Sequence, residues 1–288
     1  MRVSRLLAVA CSLTVAQFST AAAQNAGGPA ASPTETQVVT EHGLRLAGHE
    51  TTYRATAGTL IIRNSDGLPE ASLFYTAYGL TPAAGAERPV TFLFNGGPGS
   101  ASLWLHMGSF GPQRLVTALP QSTGPAPYRI VANEETLLDR SDLVFIDAVG
   151  TGYSRALAGT PEAHFFTVDQ DLDAFARAIR RYLALNGIGN APKFLLGESY
   201  GATRAAALAR TLQKMGTELN GVILMSSILN TASYEPGLDQ GYVHFLPSLA
   251  AAAWYHHRAG ASLELTGFVQ QVREYAAGPY AQALAQGD

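Results

Sequence analysis

The chain has 288 residues, a formal net charge of −3 and 47% hydrophobic residues. That length and apolar content suffice for a large core in one domain, and the charge balance, with no Lys/Arg-rich block, gives no electrostatic case for nucleic acid. Seven histidines and one cysteine form no ligand spacing such as H-E-x-x-H or paired C-x-x-C, so neither a metal nor an organic cofactor is expected.

Residues 1–23 read as a cleavable signal peptide. Arg2 and Arg5 supply the charged start, residues 6–15 the apolar stretch, and Ala21-Ala22-Ala23 an A-x-A-like cleavage site before Gln24. The apolar core is too short for a spanning helix, so no stable membrane insertion is expected. The single cysteine, Cys11, lies inside this segment. Lipid attachment there is the poorer reading, because it would leave only residues 6–10 as apolar core. A mature chain without cysteine fits a periplasmic or secreted location.

Residues 24–40 are rich in Ala, Gly, Pro and Thr and read as a flexible lead-in. The body of the domain is expected over 41–241. Strand-like runs at 58–63 and 71–78 flank Asn64-Ser65-Asp66-Gly67, which predicts a hairpin. Residues 90–94 and 143–146 are nearly continuous apolar runs followed by glycine-rich segments, as expected of parallel strands buried on both faces. A helix is predicted between Thr167 and Asn186, with Leu172, Phe175, Ala176, Ile179 and Leu183 at helical spacing. Asp169, Asp171 and Asp173 fall in its first turns, where the helix dipole favours negative charge, and Gly187 ends it.

Next comes Gly197-Glu198-Ser199-Tyr200-Gly201, between the apolar run 193–196 and an alanine-rich helical stretch at 202–215. A strand, a G-x-S-x-G turn and a helix describe a nucleophile elbow, in which glycines give the tight turn room and the serine hydroxyl stands above the sheet edge. The bland alternative is a glycine-bounded turn with an exposed serine. Residues 221–225 read as a further strand. After it, residues 246–257 and 263–285 are helix-like with no strand between them. This favours the start of a helical lid over 242–288, with ordinary sheet-covering helices as the alternative. The glycine-rich turn after residue 94 lacks the lysine and spacing of a phosphate loop.

Three motifs carry a resemblance. Asn95-Gly96-Gly97-Pro98-Gly99-Ser100, Val149-Gly150-Thr151-Gly152-Tyr153-Ser154 and the elbow pentapeptide stand in the order seen in serine carboxypeptidases of the α/β-hydrolase fold, bacterial members above all, over roughly residues 50–288. The resemblance implies an α/β fold: a mostly parallel sheet with an N-terminal antiparallel hairpin and the start of a helical lid. It makes Ser199 the nucleophile and the N–H groups of Gly97 and Tyr200 the oxyanion hole, where one donor is typically worth about 3–4 kcal/mol. Asn95 and Glu198 would bind the terminal carboxylate of a peptide substrate, Glu198 only when protonated, since only then can a carboxyl donate.

Three positions depart from the family pattern. Leu93 stands where members often carry Trp, Ser100 where a cysteine commonly follows, and Ser109 where a second glutamate is expected. The carboxyl pair that shares a proton is therefore incomplete, which puts acidic-pH exopeptidase specificity in doubt but not serine hydrolase chemistry. Trp104 and His106 lie close to this wall and read first as packing residues, with substitute recognition groups as the alternative.

The fold supplies its triad in chain order Ser, Asp, His. Asp239 and His244 are too close in sequence to sit on separate loops, and His256 and His257 fall in a helix-like run, so none is assigned as base. The expectation is an N-terminal part of a longer hydrolase, with the last strands and the triad acid and base beyond residue 288, inactive and poorly folded when expressed alone. A serine carboxypeptidase-like hydrolase acting on a peptide or small acyl substrate leads. An esterase or acyltransferase of the same fold and a non-catalytic binding protein are the alternatives.

Overall fold

Three long antiparallel strands open the structure: β1 (Gln37–Leu46), β2 (His49–Arg63) and β3 (Pro69–Leu80). The computed structural model describes residues 33–287 except 47, 81–86, 119–121, 158, 229–234, 236 and 261. The signal-peptide reading and residues 24–32 of the lead-in lie outside the described residues. The rest of the lead-in differs from expectation. Glu35 takes a fork of hydrogen bonds from Arg181 (3.0 and 2.8 Å) and accepts from Ile61 N at 2.9 Å, and the strand begins at Gln37. The predicted hairpin is thus the second half of a three-stranded meander. Its turn is held by Asn64 Oδ1, which accepts from the N–H groups of Asp66 and Leu68 at 3.0 and 2.9 Å, a local alternative to ladder bonding that asparagine favours. Along β3, Leu73, Tyr75 and Ala77 bury alternate positions, the period of a half-covered strand.

The parallel part begins at β4 (Val90–Phe94). After the one-turn helix α1 (Leu103–Leu105), a π-helical turn (His106–Phe110) and a small sheet of β5 (Gln113–Leu115) and β6 (Ile130–Ala132), it resumes at β7 (Asp142–Ile146). A two-residue strand, β8 (Arg155–Ala156), pairs with β3. Helix α2 (Val168–Leu185) leads to β9 (Lys193–Glu198), helix α3 (Tyr200–Lys214) and β10 (Gly221–Met225). The sheet order is β1-β2-β3-β7-β4-β9-β10, with β7, β4, β9 and β10 mutually parallel.

All five residues of β4 are buried because both faces are covered. Phe92 and Phe94 join Phe175 and Ile179 of α2 and Leu208 and Leu212 of α3, whereas Leu93 turns to the opposite cluster with Leu105, Leu138 and Leu143. Helix α2 follows its expected bounds: the Thr167 side chain accepts from Gln170 N, and Gly187 leaves with φ 65°. Beyond β10 come α4 (Gln240–Tyr255), α5 (Leu265–Tyr275) and, after a π-helical turn, α6 (Ala281–Gln286). Among the described residues no strand follows β10, which ends the sheet with Ile223, Leu224 and Met225 exposed. No helix among them is long and apolar enough to cross a membrane.

Candidate active site

The chain reverses its winding at β4: β7 lies on one side of it and β9 on the other. In an open α/β sheet the crevice at such a switch point, outside the carboxyl ends of the strands, is where ligands bind. The turns leaving β4, β7 and β9 are the three glycine-rich motifs.

The turn leaving β9 holds Ser199 at φ 58°, ψ −123°. A non-glycine residue in this region costs on the order of 1–3 kcal/mol and persists only where its surroundings impose it. Ser199 N donates to Met225 O of β10 at 3.0 Å, and Ser199 O accepts from Ala202 N at 3.0 Å, so both sides of the serine are tied down. The flanking glycines are steric necessities. A Cβ on Gly197 would come within 1.8 Å of Gly201 O, and one on Gly201 within 2.5 Å of Phe94 O. Gly96 is equally constrained, since its Cβ would fall 2.5 Å from Tyr200 N. The turn leaving β4 therefore lies directly on the elbow. Gly201→Ala is expected to destabilise the fold by about 1–3 kcal/mol, because the added methyl forces β4 and α3 apart; thermal denaturation checks this.

Asn95 is nearly fully buried. Its Nδ2 donates to Glu198 Oε2 at 3.1 Å and its Oδ1 accepts from Leu105 N at 3.1 Å, so the amide orientation follows from its partners. Gly97 takes φ 109°, and any Cβ there would meet Gly99 N at 2.4 Å. The turn leaving β7 braces this loop from behind. Asp147 Oδ1 accepts from Ser102 N at 2.8 Å, Ser154 Oγ donates to Asp147 O at 2.8 Å, and a Cβ on Gly152 would overlap Asp147 Oδ2 at 1.9 Å. Burial pushes the Asp147 carboxyl up, against the pull of the backbone N–H groups of Ser102 and Tyr153.

Asn95, Gly97, Glu198 and Ser199 all line one cavity of about 700 Å³, with Trp104 and Ser109 on its wall. Tyr200, at the first position of α3, follows the serine directly. Trp104 is 70% exposed. It is a rim residue of the cavity rather than the packing residue the sequence suggested. The turn from α1 into a π-helical segment carries its indole outward, a local geometry that residue type alone does not reveal. His106 is the packing residue expected: it bonds Tyr78 Oη at 2.6 Å and stacks on Phe145 at 4.7 Å. Asp239 directly precedes α4, and His244, His256 and His257 lie on or beside that helix. Among the described residues, no histidine lines the cavity.

Asp171 stands in the first turn of α2, as its sequence position predicts. It is buried and forms a bidentate pair with Arg204, which is 1% exposed. Arg204 went unread in the sequence, although its spacing showed it: Gly201, Arg204, Ala205, Leu208 and Leu212 form the buried face of α3, so an arginine stands at a core position.

The sequence model of the serine carboxypeptidase family, peptidase family S10, matches residues 49–251. The chain belongs to the serine carboxypeptidase family. Among solved structures, a prohormone-processing carboxypeptidase from Saccharomyces cerevisiae superposes with a TM-score of 0.51 at 16% identity, over 78% of this chain and 53% of that one. A proline iminopeptidase from Mycobacterium smegmatis gives 0.40 at 18% identity, over 77% and 59%. A rice cell wall degrading esterase from Xanthomonas oryzae gives 0.42 at 14% identity, over 79% and 60%. The fold is that of the α/β hydrolases, and this carboxypeptidase-family chain spans about half the length of the yeast structure. A sequence search of curated proteins found no match.

Proposed function

We propose that this protein is an exported serine-type carboxypeptidase that releases C-terminal residues from peptides through an acyl-enzyme on Ser199. The observation that carries the reading is the backbone of Ser199, held at φ 58° between β9 and α3 on the wall of the cavity. A serine needs no such strained conformation to cap or pack; it needs it to present its hydroxyl above the strand ends. Ser199 Oγ would bond to the carbonyl carbon of the last peptide bond while the N–H groups of Gly97 and Tyr200 meet the developing oxyanion. Collapse of the tetrahedral species breaks the C–N bond and releases the C-terminal residue as its amine. Water then cleaves the acyl ester. Asn95 and Glu198 would hold the substrate carboxylate. Proton transfer from Ser199 is left to a group outside the lining described. Export is supported by the charged, apolar and small-residue pattern of residues 1–23.

Ser109 favours a second reading. A hydroxyl stands on the cavity wall where the family pattern has a second carboxyl, so the site carries less machinery for a free C-terminus than for an acyl group alone. An esterase or acyltransferase would use the same acyl-enzyme. Three substrates separate the readings: a peptide with a free C-terminus, its amidated twin and a simple ester. The carboxypeptidase reading expects the free peptide to be cut at least about 10-fold faster than the amide, the lower end of what one hydrogen bond to a charged group contributes. Turnover of the ester alone would give the second reading the lead.

A further inference from the structure

We propose that Arg204 is a positioning residue that holds the two halves of the oxyanion site, the turn leaving β4 and the elbow, at a fixed separation; this rests on the reading of Gly97 and Tyr200 as the oxyanion donors. Its guanidinium is used on every side. Nε and Nη2 donate to Asp171 Oδ2 and Oδ1 at 2.7 and 3.1 Å, joining α3 to α2. Nη1 donates to the backbone oxygen of Asn95 at 2.9 Å, joining α3 to the end of β4. The planar group lies 4.4 Å from the Phe175 ring centroid, 5.2 Å from that of Tyr200 and 5.6 Å from that of Phe94. Burial raises the pKa of the Tyr200 hydroxyl, and the Asp171 charge acts in the same direction.

Three consequences follow from these contacts. Asn95 is gripped at three atoms: its backbone oxygen by Arg204, its Oδ1 by Leu105 N and its Nδ2 by Glu198. Its φ and ψ are thereby constrained two residues before Gly97. The Tyr200 ring, one residue after Ser199, packs against the same Arg204 guanidinium. One buried ion pair therefore touches both segments that carry the oxyanion donors.

Stability is a poor explanation for that pair. Desolvation of two buried charges offsets most of their attraction, and apolar replacements of similar volume often leave a fold as stable or more so. What an apolar pair lacks is direction: a rigid fork of donors fixes distance and angle to a carboxylate and a carbonyl at once. The glycine contacts at Gly96 and Gly201 press the two segments together, and Arg204 supplies the directional tie across the same junction.

The test compares the full chain with Arg204→Met/Asp171→Leu, which removes both charges together, and with Arg204→Lys, which keeps the charge and loses the fork. Hydrogen–deuterium exchange over residues 95–105 and 197–204 reads the clamp itself, whether or not Ser199 turns over a substrate. Faster exchange in these segments, at an unchanged thermal midpoint, is expected. Kinetics on an ester then read its consequence. A fall in kcat of about 10–100-fold with KM within about threefold is expected, the size that misplacement by about an ångström produces. Unchanged exchange in a stable double variant, or loosened exchange with wild-type kcat, would overturn the proposal. If the double variant does not fold, Arg204→Lys decides by the same two readings. Absence of Ser199-dependent turnover from a protein that carries the triad acid and base would sink the proposed function, while the exchange data still decide the clamp in this chain.

Discussion

Ser199→Ala is expected to lower turnover of any peptide or ester substrate by on the order of 10⁴- to 10⁶-fold, the effect of deleting a serine nucleophile, with binding of the substrate little changed. Every other element of the site stays in place, because the β9–α3 turn is tied by Ser199 N to Met225 O and by the contacts of Gly96, Gly197 and Gly201, none of which involves the hydroxyl. Ser199→Gly is expected to do the same to turnover and to raise stability by about 1 kcal/mol, since glycine adopts φ 58° without the strain that serine bears there. Opposite signs in activity and stability at one residue are the signature of a conformation held for chemistry. Kinetics with two substrates and a thermal denaturation of each variant give both signs. Retained turnover in Ser199→Ala would remove Ser199 from the mechanism. Equal stability of the serine and glycine forms would remove the strain argument.

The parts of this site that could be read from residues were those in which glycine or apolar content is obligatory. The G-x-S-x-G turn needs Gly197 and Gly201 because backbone atoms lie where their side chains would be, and a parallel strand such as β4 must be apolar throughout because both its faces are covered. Strand β1 was not legible. It pairs on one side, buries only Leu44 and Leu46, and exposes the rest, so its residues carry no alternation strong enough to separate them from the lead-in. Residues 103–110 also escaped, because a one-turn helix running into a π-helical turn has no fixed hydrophobic period, and the outward indole of Trp104 depends on that geometry. The Asp171–Arg204 pair lay between these cases. Each residue is ordinary on its own helix, and only the core register of α3 marks the arginine as buried.

Acidification from about pH 7 to about pH 4 is expected to cost the fold about 2–3 kcal/mol through His106 alone. Burial lowers its pKa from 6.5 to about 4. Below pH 6.5 the unfolded chain takes up a proton at this residue that the folded chain refuses, so unfolding gains until the folded pKa is reached and the loss then levels off. Tyr78 from β3 bonds the imidazole, and Phe145 from β7 stacks on it. Asp147 is the acidic residue lining the same cavity of about 440 Å³. Its own pKa is raised by burial, so its protonation in acid relieves the fold and partly offsets His106 at the low end of the range. His106→Gln keeps a polar group for Tyr78 and has no charge to gain. Its stability is therefore expected to fall less than that of the parent chain over the same range, by about the stated amount. Parallel losses in the two proteins would show that His106 titrates normally in the fold.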